Sequence, residues 1–386
     1  MIRLIFSFVI LIFAAIAINA QEAAQERKRI VWYNLKSTVV EGKGWENPDD
    51  FYTRFPAKAE SKINASVWSN STYSSGIHSR FVTNSDTISV RWNLKNSYIA
   101  RSNMAPVGTS GVDLYVRYQG KWRWMSIGKP SSRADENPMI GGLKPAESEG
   151  WQNEAIVVSG LPIEKREYCL YLPLYNGIYD MEIGITDGST FEKAPPRTGG
   201  EKPLVVYGSS ITMGASANRP GMVYTSILGR RFDIPVINLG FSGSGRCEPE
   251  VADLLAELDP KVYLIDCLPN MEASYTDERM RNLLKVLKQN HPNTPVVLVE
   301  NHIYPNDIYF TNRPDRSTEK SAILKKIYDE VKQDWNGKLF YVKKDDLYGS
   351  DGEATTDGTH PSDLGFMRMA DVIEPELAKA LKAAEK

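Results

Sequence analysis

Residues 204–214 read LVVYGSSITMG, and this stretch decides how the second half of the chain folds. Leu204 to Tyr207 form a short apolar run without alternation, which is typical of a strand buried on both faces. The small residues that follow allow the backbone to turn tightly. A serine placed directly after the carboxyl end of such a strand, here Ser210, can project its hydroxyl into a cleft.

The rest of this half alternates short apolar runs with amphipathic segments. The further strands are predicted at residues 236–239, 262–265, 296–299 and 339–342. The helices are predicted at residues 220–232, 248–258, 277–290, 317–335 and 361–384. Strands and helices in this order indicate an α/β fold, with a parallel sheet covered on both faces. Such sheets bind ligands at the carboxyl ends of their strands.

The N-terminal half, from Ile30 to Phe191, has a different pattern. Polar and apolar residues alternate in runs such as 87–92 and 112–118, which predicts half-buried antiparallel strands. Gly-containing turn signals recur between the runs. Several short strands with regular turns predict an all-β sandwich or jelly roll.

Seven of the eight tryptophans lie in this N-terminal half, so their role bears on its function. We expect most of them to pack in the core of the sandwich or between its sheets. Trp122 and Trp124 share one face of a predicted strand, and they are the pair to test for stacking on sugar rings.

The chain has 386 residues, more than one hydrophobic core usually holds, so two domains are expected. Residues 192–203 combine paired prolines and paired glycines with charged residues, which is typical of a linker. We therefore predict a β-sandwich domain over 30–191, a linker over 192–203 and an α/β domain over 204–386.

The first 20 residues have the features of a secretory signal peptide. Arg3 precedes an apolar run over residues 4–18, and small residues end the segment at Ala20. The alternative is a membrane anchor, but the run is shorter than the roughly 20 residues of a spanning helix. We predict cleavage after Ala20, export to the periplasm or the medium, and no membrane span in the mature chain.

Composition excludes several classes of function. The formal net charge is −2, without the basic surface that nucleic-acid binding requires. The histidines are scattered without metal-ligand spacing, and no phosphate-binding lysine motif occurs, so neither a metal nor another cofactor is expected. Cys169, Cys247 and Cys267 allow at most one disulfide, and buried free thiols are the favoured interpretation. The sequence gives no indication of the oligomeric state.

A serine nucleophile needs a base, and the chain offers only His78, His291, His302 and His360. His360 lies in the segment DGTHP, just before the last predicted helix, and Asp357 precedes it by three residues. A carboxylate at that spacing can fix the tautomer of the imidazole and stabilise its protonated form. By itself the segment is more typical of an Asp-Gly turn with a histidine on the surface. His302 follows a strand and is expected to be a hydrogen-bonded loop residue rather than a second base.

Acyl transfer also needs hydrogen-bond donors for a developing oxyanion. Residues 238–245 read NLGFSGSG after the second strand, and glycines such as Gly243 expose backbone N–H groups. Asn270 follows the third strand and offers a side-chain amide. The alternatives for the glycine segment alone are an ordinary strand-to-helix turn or a phosphate-binding loop, but it lacks the G-x-G-x-x-G pattern after the first strand that a nucleotide site requires. Because these residues follow successive strand ends, we expect them to converge on one cleft with Ser210 and His360.

Taken together, these segments resemble the SGNH hydrolase superfamily, also called the GDSL esterases. The four matching blocks are residues 208–211, 238–243, 268–271 and 357–360. The resemblance implies a flavodoxin-like αβα sandwich and a Ser210–His360–Asp357 hydrolase. It implies an oxyanion hole formed by the backbone N–H of Ser210, by Gly243 and by Asn270. This chain departs from the family at Ser209, where the name-giving motif has aspartate, and at the neighbours of Asn270.

The N-terminal half carries a second resemblance. Residues 111–115 read GVDLY, which is similar to the GxDLY signature of a β domain that precedes SGNH domains in some bacterial proteins. The combined architecture implies an exported esterase whose substrate is an acylated carbohydrate, O-acetyl groups being the leading expectation, or another ester. The alternatives are a lipase, lysophospholipase or thioesterase of the same superfamily, and a glycan-binding protein without catalytic activity.

Overall fold

The computed structural model describes residues 29–47, 49–131, 151–311 and 316–385. The two halves of the chain differ in architecture, as their sequence patterns predict. The predicted signal peptide lies outside the described residues. In the described part of the first half, ten strands form two antiparallel sheets. Their bounds are β1 Ile30–Asn34, β2 Val39–Glu41, β3 His78–Thr83, β4 Ile88–Leu94, β5 Val112–Tyr118, β6 Lys121–Gly128, β7 Asn153–Val158, β8 Arg166–Tyr171, β9 Ile178–Thr186 and β10 Phe191–Lys193.

The predicted β-sandwich is confirmed by how these sheets pair and pack. One sheet has the strand order β1-β9-β4-β7, and the other has β10-β3-β8-β5-β6 with β2 beside β3. A single apolar cluster lies between them and includes Trp92 of β4, Ile183 of β9, Leu114 of β5 and Leu170 of β8, all fully buried. The alternation in these strands therefore directs one set of side chains into a shared core.

Strand β5 departs from the half-buried pattern that alternation predicts. Its first five residues are buried on both faces, including the polar side chain of Asp113. The outer face is covered by the second half of the chain, because Arg219 donates to Asp113 at 2.8 Å and to the Tyr115 hydroxyl at 2.6 Å. The sequence pattern identifies a sandwich strand, but it does not show that a second body covers the polar face.

The second half contains a five-stranded parallel sheet with helices on both faces, as predicted. Its strand order is β12-β11-β13-β14-β15, the flavodoxin-like order. The strands are β11 Leu204–Gly208, β12 Val236–Gly240, β13 Val262–Asp266, β14 Val296–Val299 and β15 Leu339–Val342. The helices of the described chain are α1 Ala65–Ser71, α2 Pro106–Ser110, α3 Ser210–Met213, α4 Tyr224–Phe232, α5 Pro249–Leu255, α6 Ala273–Asn290, α7 Thr318–Val331 and α8 Asp363–Ala383. In the part of the chain that is described, no helix combines the length and apolarity needed to cross a membrane.

Several helix boundaries differ from the predicted ones, among them the ends of α5 at Leu255 and of α7 at Val331. The segment predicted as one helix over 220–232 begins with a separate 3-10 turn at Pro220–Met222, because Val223 has extended backbone angles. Helix α6 begins before the predicted residue 277, at Ala273. Helix α8 continues through Pro375 without ending there.

Alternate residues of β11 face opposite sides of the sheet, and each side has its own apolar cluster. Val205 and Tyr207 pack with residues of α5, α6 and α7. Leu204 and Val206 pack with residues of α4 and α8. The first cluster also contains Phe55 and other residues from the segment before α1. The N-terminal half therefore shares a hydrophobic core with the α/β half.

A buried arginine fastens the two halves together. The guanidinium of Arg54 donates to the carbonyl oxygens of Asn238 and Gly240, each at 2.9 Å, at the end of β12. Another of its nitrogens donates to the carbonyl of Asn70 at 2.7 Å. Because Arg54 is only 1% exposed, these carbonyl groups replace water around its charge. The contact ties the N-terminal half to the strand that leads into the glycine loop.

The ends of the three central strands are level with one another. Gly208 of β11 pairs with Gly240 of β12 on one side and with Asp266 of β13 on the other. A Cβ atom on Gly208 would lie 2.1 Å from the Thr212 hydroxyl, and one on Gly240 would lie 2.1 Å from the Met213 nitrogen. The loops that leave these strands therefore start from a common edge and pack with almost no intervening volume.

This close packing predicts different effects for two glycine substitutions in the loop after β12. Both glycines have positive φ, +66° at Gly243 and +68° at Gly245. A Cβ on Gly245 would lie 2.0 Å from the Gly208 carbonyl oxygen, whereas one on Gly243 would meet nothing within 4 Å. Gly243→Ala should lower the free energy of unfolding by about 1 kcal/mol through backbone strain alone.

Gly245→Ala should lower the free energy of unfolding clearly more than Gly243→Ala does. Its new Cβ would clash with backbone atoms, and a rotamer change cannot relieve that clash. Urea denaturation of both variants checks this difference. Equal losses in the two variants would show that the loop has room to move away from β11.

Candidate active site

Ser210 lies at the turn between β11 and α3. It is the first residue of α3 and is 7% exposed. The Ser209 hydroxyl oxygen accepts from the Ile211 N–H at 3.2 Å, which caps the short helix. Gly214, at φ +107°, ends the helix after one turn. This arrangement fixes the Ser210 backbone at the carboxyl edge of the sheet.

The structure brings Ser210, His360 and Asp357 into one chain of hydrogen bonds. The Ser210 Oγ lies 2.9 Å from the His360 Nε2. The His360 Nδ1 lies 2.8 Å from the Asp357 Oδ2. Residues 150 positions apart in the sequence are therefore placed at the spacing needed for proton transfer from the hydroxyl to the imidazole.

The Asp357 carboxylate is held ionised by its surroundings. Partial burial alone would raise its pKa, but the His360 backbone N–H, the His360 ring and the Asn103 side chain all donate to it and lower the pKa to about 2. The Asp357 Oδ1 also accepts from the Thr359 N–H at 3.0 Å. An ionised carboxylate favours the tautomer in which the His360 Nδ1 carries the proton and Nε2 is free to accept one.

The predicted donor residues lie on loops that leave the same edge of the sheet as the turn with Ser210. Gly243 is exposed in the loop after β12, and Asn270 ends a 3-10 turn after β13. The Asn270 Nδ2 donates to the Ser244 carbonyl oxygen at 2.5 Å, which joins the two loops. Each loop begins at a strand end level with Gly208, so the three predicted donors share one edge of the sheet.

Asn103 is a residue near the site that the sequence motifs do not predict. It belongs to the loop between β4 and α2 of the N-terminal half. Its Nδ2 donates to the Asp357 Oδ2 at 3.0 Å and lies 3.5 Å from the His360 Nδ1. Nothing in its local sequence marks it, because only tertiary packing brings this loop to the end of the chain.

Two further residues of the N-terminal half support the turn that carries Ser210. The Ser75 hydroxyl donates to the Met213 carbonyl oxygen at 2.6 Å. The Tyr175 hydroxyl donates to the Ser210 carbonyl oxygen at 3.4 Å. Both side chains are buried. The β-sandwich half therefore contributes directly to the support of the site.

Lys320 of α7 is another residue near the site that the sequence pattern does not predict. It is 8% exposed, and its ammonium donates to the carbonyl oxygens of Leu268 at 2.8 Å and Pro269 at 3.4 Å. These carbonyls belong to the turn that presents Asn270. A lysine within an amphipathic helix normally signals a solvated face, so its burial beneath this turn could not be predicted from the helix pattern.

The other three histidines lie outside the hydrogen-bonded chain. His302 is 2% exposed, stacks on Tyr348 with ring centroids 4.2 Å apart, and has an Nε2 without a hydrogen-bond partner among the described residues. Burial holds its pKa well below the usual value, with the charge of Lys320 adding to the effect. His78 bonds to Glu41 and His291 to the carbonyl of Ala256. The expected hydrogen bonding of His302 is therefore wrong, because its ring is packed between Tyr304 and Tyr348, and it is a neutral packing residue of the loop after β14.

Trp122 and Trp124 lie at the boundary between the two halves. The Trp122 indole N–H donates to Asp233 at 3.2 Å, and that of Trp124 donates to Asp113 at 3.0 Å. An arginine guanidinium lies over each ring, 4.3 Å from the centroid for Trp122 and 5.2 Å for Trp124. Trp124 remains 51% exposed. Stacking on sugars stays a prediction for this pair.

Exposed apolar side chains follow β14 near the His360 segment. Ile303, Ile308 and Tyr309 are 40%, 76% and 78% exposed. The same loop contains Asn306, whose Nδ2 would lie 2.5 Å from a Cβ on Gly358. The loop therefore packs directly against the segment that carries Asp357 and His360.

Among the residues that the structure describes, no group of three or more acidic, histidine or cysteine side chains is arranged to hold a metal.

Comparisons with known proteins agree with this architecture. The profile of the GDSL-like lipase/acylhydrolase family matches residues 201–378. The GxDLY profile, which describes the N-terminus of SGNH-hydrolase-type esterases, matches residues 30–191. A search of curated protein sequences gave no match.

Solved structures extend the similarity over nearly the whole chain. A GDSL-like lipase of Bacteroides ovatus is 30% identical, with a TM-score of 0.81, covering 92% of this chain and 98% of its own. A salicylyl-acyltransferase from a tetracycline biosynthetic pathway is 16% identical, with a TM-score of 0.68 and coverages of 92% and 97%. A family two carbohydrate esterase of Cellvibrio japonicus is 11% identical, with a TM-score of 0.55 and coverages of 92% and 99%.

The last two structures share the fold alone, whereas the Bacteroides protein shares sequence over both halves. The family match in the second half covers the segment that contains Ser210, and the GxDLY match covers the sandwich that contacts it. The chain belongs to the GDSL-like lipase/acylhydrolase family of SGNH-type esterases and carries the GxDLY N-terminal domain of that group.

Proposed function

We propose that this protein is an exported serine esterase that hydrolyses carboxylic esters on carbohydrates, with O-acetyl groups as the leading substrates. The observation that carries the proposal is the chain of hydrogen bonds from Ser210 through His360 to Asp357. In this proposal residues 1–20 are a cleaved signal peptide, and residues 192–203, the first two of which complete β10, connect the sandwich to the hydrolase domain.

The first chemical step is attack by the Ser210 Oγ on the ester carbonyl carbon. His360 Nε2 accepts the hydroxyl proton as the C–O bond forms, and Asp357 stabilises the resulting imidazolium. The tetrahedral oxyanion accepts hydrogen bonds from the Ser210 N–H, the Gly243 N–H and the Asn270 Nδ2. Such donors are effective because they are already oriented before the charge develops.

Collapse of the intermediate releases the sugar alcohol and leaves an acyl group on Ser210. His360 donates its proton to the departing alkoxide oxygen. A water molecule then attacks the acyl-enzyme, His360 takes its proton, and the carboxylic acid leaves as the Ser210 hydroxyl is restored. Each step uses the same three side chains, which is why their fixed spacing matters.

Three observations support a carbohydrate ester as the substrate. The N-terminal sequence is typical of an exported protein, and extracellular polysaccharides are acylated. Several structures with the same fold are carbohydrate esterases, including the Cellvibrio enzyme. The sandwich half also carries aromatic side chains at its boundary with the hydrolase half, among them the half-exposed Trp124.

A second candidate is an esterase for longer acyl chains, such as a lipase, lysophospholipase or thioesterase. The exposed Ile303, Ile308 and Tyr309 favour it, because they provide apolar surface on the loop packed against the His360 segment. A long acyl chain needs such a surface to leave water. A glycan-binding protein without activity is the remaining alternative, and an intact set of hydrogen bonds around Ser210 argues against it.

Replacing the serine tests the proposal directly. Ser210→Ala should lower kcat for p-nitrophenyl acetate by at least about 10³-fold and abolish labelling by a fluorophosphonate probe. Ser209→Ala is the matched control, because it removes a neighbouring hydroxyl whose role is to cap α3, at about 1 kcal/mol of stability. Labelling of Ser210→Ala, or no labelling of the unmodified protein, would contradict the assignment.

Asn103 tests the contribution of the sandwich half. Asn103→Ala removes a donor to the Asp357 carboxylate and should lower kcat about 5- to 10-fold without changing KM or Tm. Asn218→Ala is the control, because it removes a similar amide contact to the Asp363 carboxylate, outside the hydrogen-bonded chain. Equal kcat values for the two variants would show that Asn103 does not position Asp357.

Acyl-chain preference separates the two candidate functions. The proposal expects acetyl esters to be hydrolysed faster than octanoyl esters, and acetate to be the acid that mass spectrometry detects from acetylated polysaccharides. Ile308→Ser with Tyr309→Ser should then leave acetyl turnover unchanged. Ile163→Ser is the control, because Ile163 is 77% exposed in the sandwich half. Faster octanoyl turnover that the double variant alone abolishes would establish the second candidate.

A further inference from the structure

Two cysteine sulfurs lie against each other beneath the candidate oxyanion donors. The Sγ atoms of Cys247 and Cys267 are 2.7 Å apart, and both residues are buried, at 0% and 1% exposure. All three cysteines are free and buried in the structure, as the sequence predicts. A disulfide bond is about 2.05 Å long, so only a small shift separates the Cys247 and Cys267 thiols from bonding distance. Cys169, the third cysteine, lies in β8 of the sandwich.

We propose that Cys247 and Cys267 are joined by a disulfide bond in the exported protein, and that this bond clamps the two loops carrying the oxyanion donors. The inference rests on the export that the proposed function includes. Oxidation removes one proton and one electron from each thiol as the S–S bond forms. The two electrons pass to the disulfide of an oxidising thiol–disulfide reagent or enzyme, which is reduced to two thiols.

The two cysteines lie close in sequence to the two candidate oxyanion donors, so a bond between them would connect the loops that carry those donors. Cys247 follows Gly243 by four residues, and Cys267 precedes Asn270 by three. Within the described chain, the two loops are otherwise linked by the Asn270 side chain, which donates to the Ser244 carbonyl. A covalent link between them would hold the Gly243 N–H and the Asn270 amide at a constant separation.

The backbone at Cys247 is consistent with a specific requirement for its side chain. Its φ is +51°, a left-handed conformation that costs about 1 kcal/mol or more for residues other than glycine. Glycine or asparagine would adopt it with less strain. A cysteine at this position directs its sulfur toward Cys267. A turn without that contact would favour glycine or asparagine.

Burial determines when the bond forms and how long it lasts. The thiolate is the reacting species, and burial raises the pKa of Cys267 well above its usual value, with Cys247 adding to the effect. Oxidation therefore takes place before the loops close. Once the chain has folded, the bond is shielded from soluble reductants.

The chemical state of the thiols is tested on the full chain, expressed with its leader and recovered from the periplasm. Because the chain has three cysteines, the protein denatured without reductant and treated with iodoacetamide should gain one alkyl group, on Cys169, and three after prior reduction. Its unlabelled mass should be lower by two hydrogen atoms than that of the reduced chain. Three alkylated cysteines without reduction would overturn the proposal, whatever the esterase activity.

The clamping role is tested with the double variant Cys247→Ala and Cys267→Ala. Its Tm should fall by about 5–10 °C, because loss of a native disulfide is added to loss of buried volume. Its kcat should fall with KM unchanged. Cys169→Ala is the control for removal of one buried thiol, and it should show a smaller loss of Tm and an unchanged kcat. A double variant with the kcat of the control would overturn the role of the bond as a clamp.

Discussion

The level register of three parallel strands is the constraint on which the rest of this structure depends. Gly208, Gly240 and Asp266 lie side by side, so the loops that leave β11, β12 and β13 begin at one edge. The backbone contacts around Gly208 and Gly240 leave no space for a side chain. A nucleophile and its oxyanion donors can be supplied by separate loops because hydrogen bonding within the sheet fixes where each loop starts.

The sandwich half supports the loops around the site through direct hydrogen bonds. Arg54 holds the carbonyl groups at the end of β12, Tyr175 and Ser75 hold the turn around Ser210, and Asn103 contacts the Asp357 carboxylate. A hydrolase domain without the sandwich half would expose the apolar surface that packs around Phe55 and its neighbours. The similarity to the Bacteroides structure likewise extends over both halves.

Charge around the site is distributed in a way that suits ester chemistry. Asp357 stays ionised at neutral pH because several N–H groups donate to it. His302 stays neutral behind His360 because it is buried among aromatic rings, with Lys320 as a nearby cation. Lys320 places a positive charge on the carbonyl groups that precede Asn270. A buried cation beneath the donor turn favours the negative charge that develops during acyl transfer.

The sequence by itself determined the two-part architecture and the parallel sheet, because hydrophobic period is a local property of the chain. Its short motifs also predicted Ser210, His360, Asp357, Gly243 and Asn270 as site residues. Tertiary structure alone decided which face of β5 would be covered, that Lys320 would be buried, and that Asn103 would reach Asp357. It also decided the contact between Cys247 and Cys267. These features depend on how distant segments pack, and a contact between residues 254 positions apart leaves no pattern in either neighbourhood.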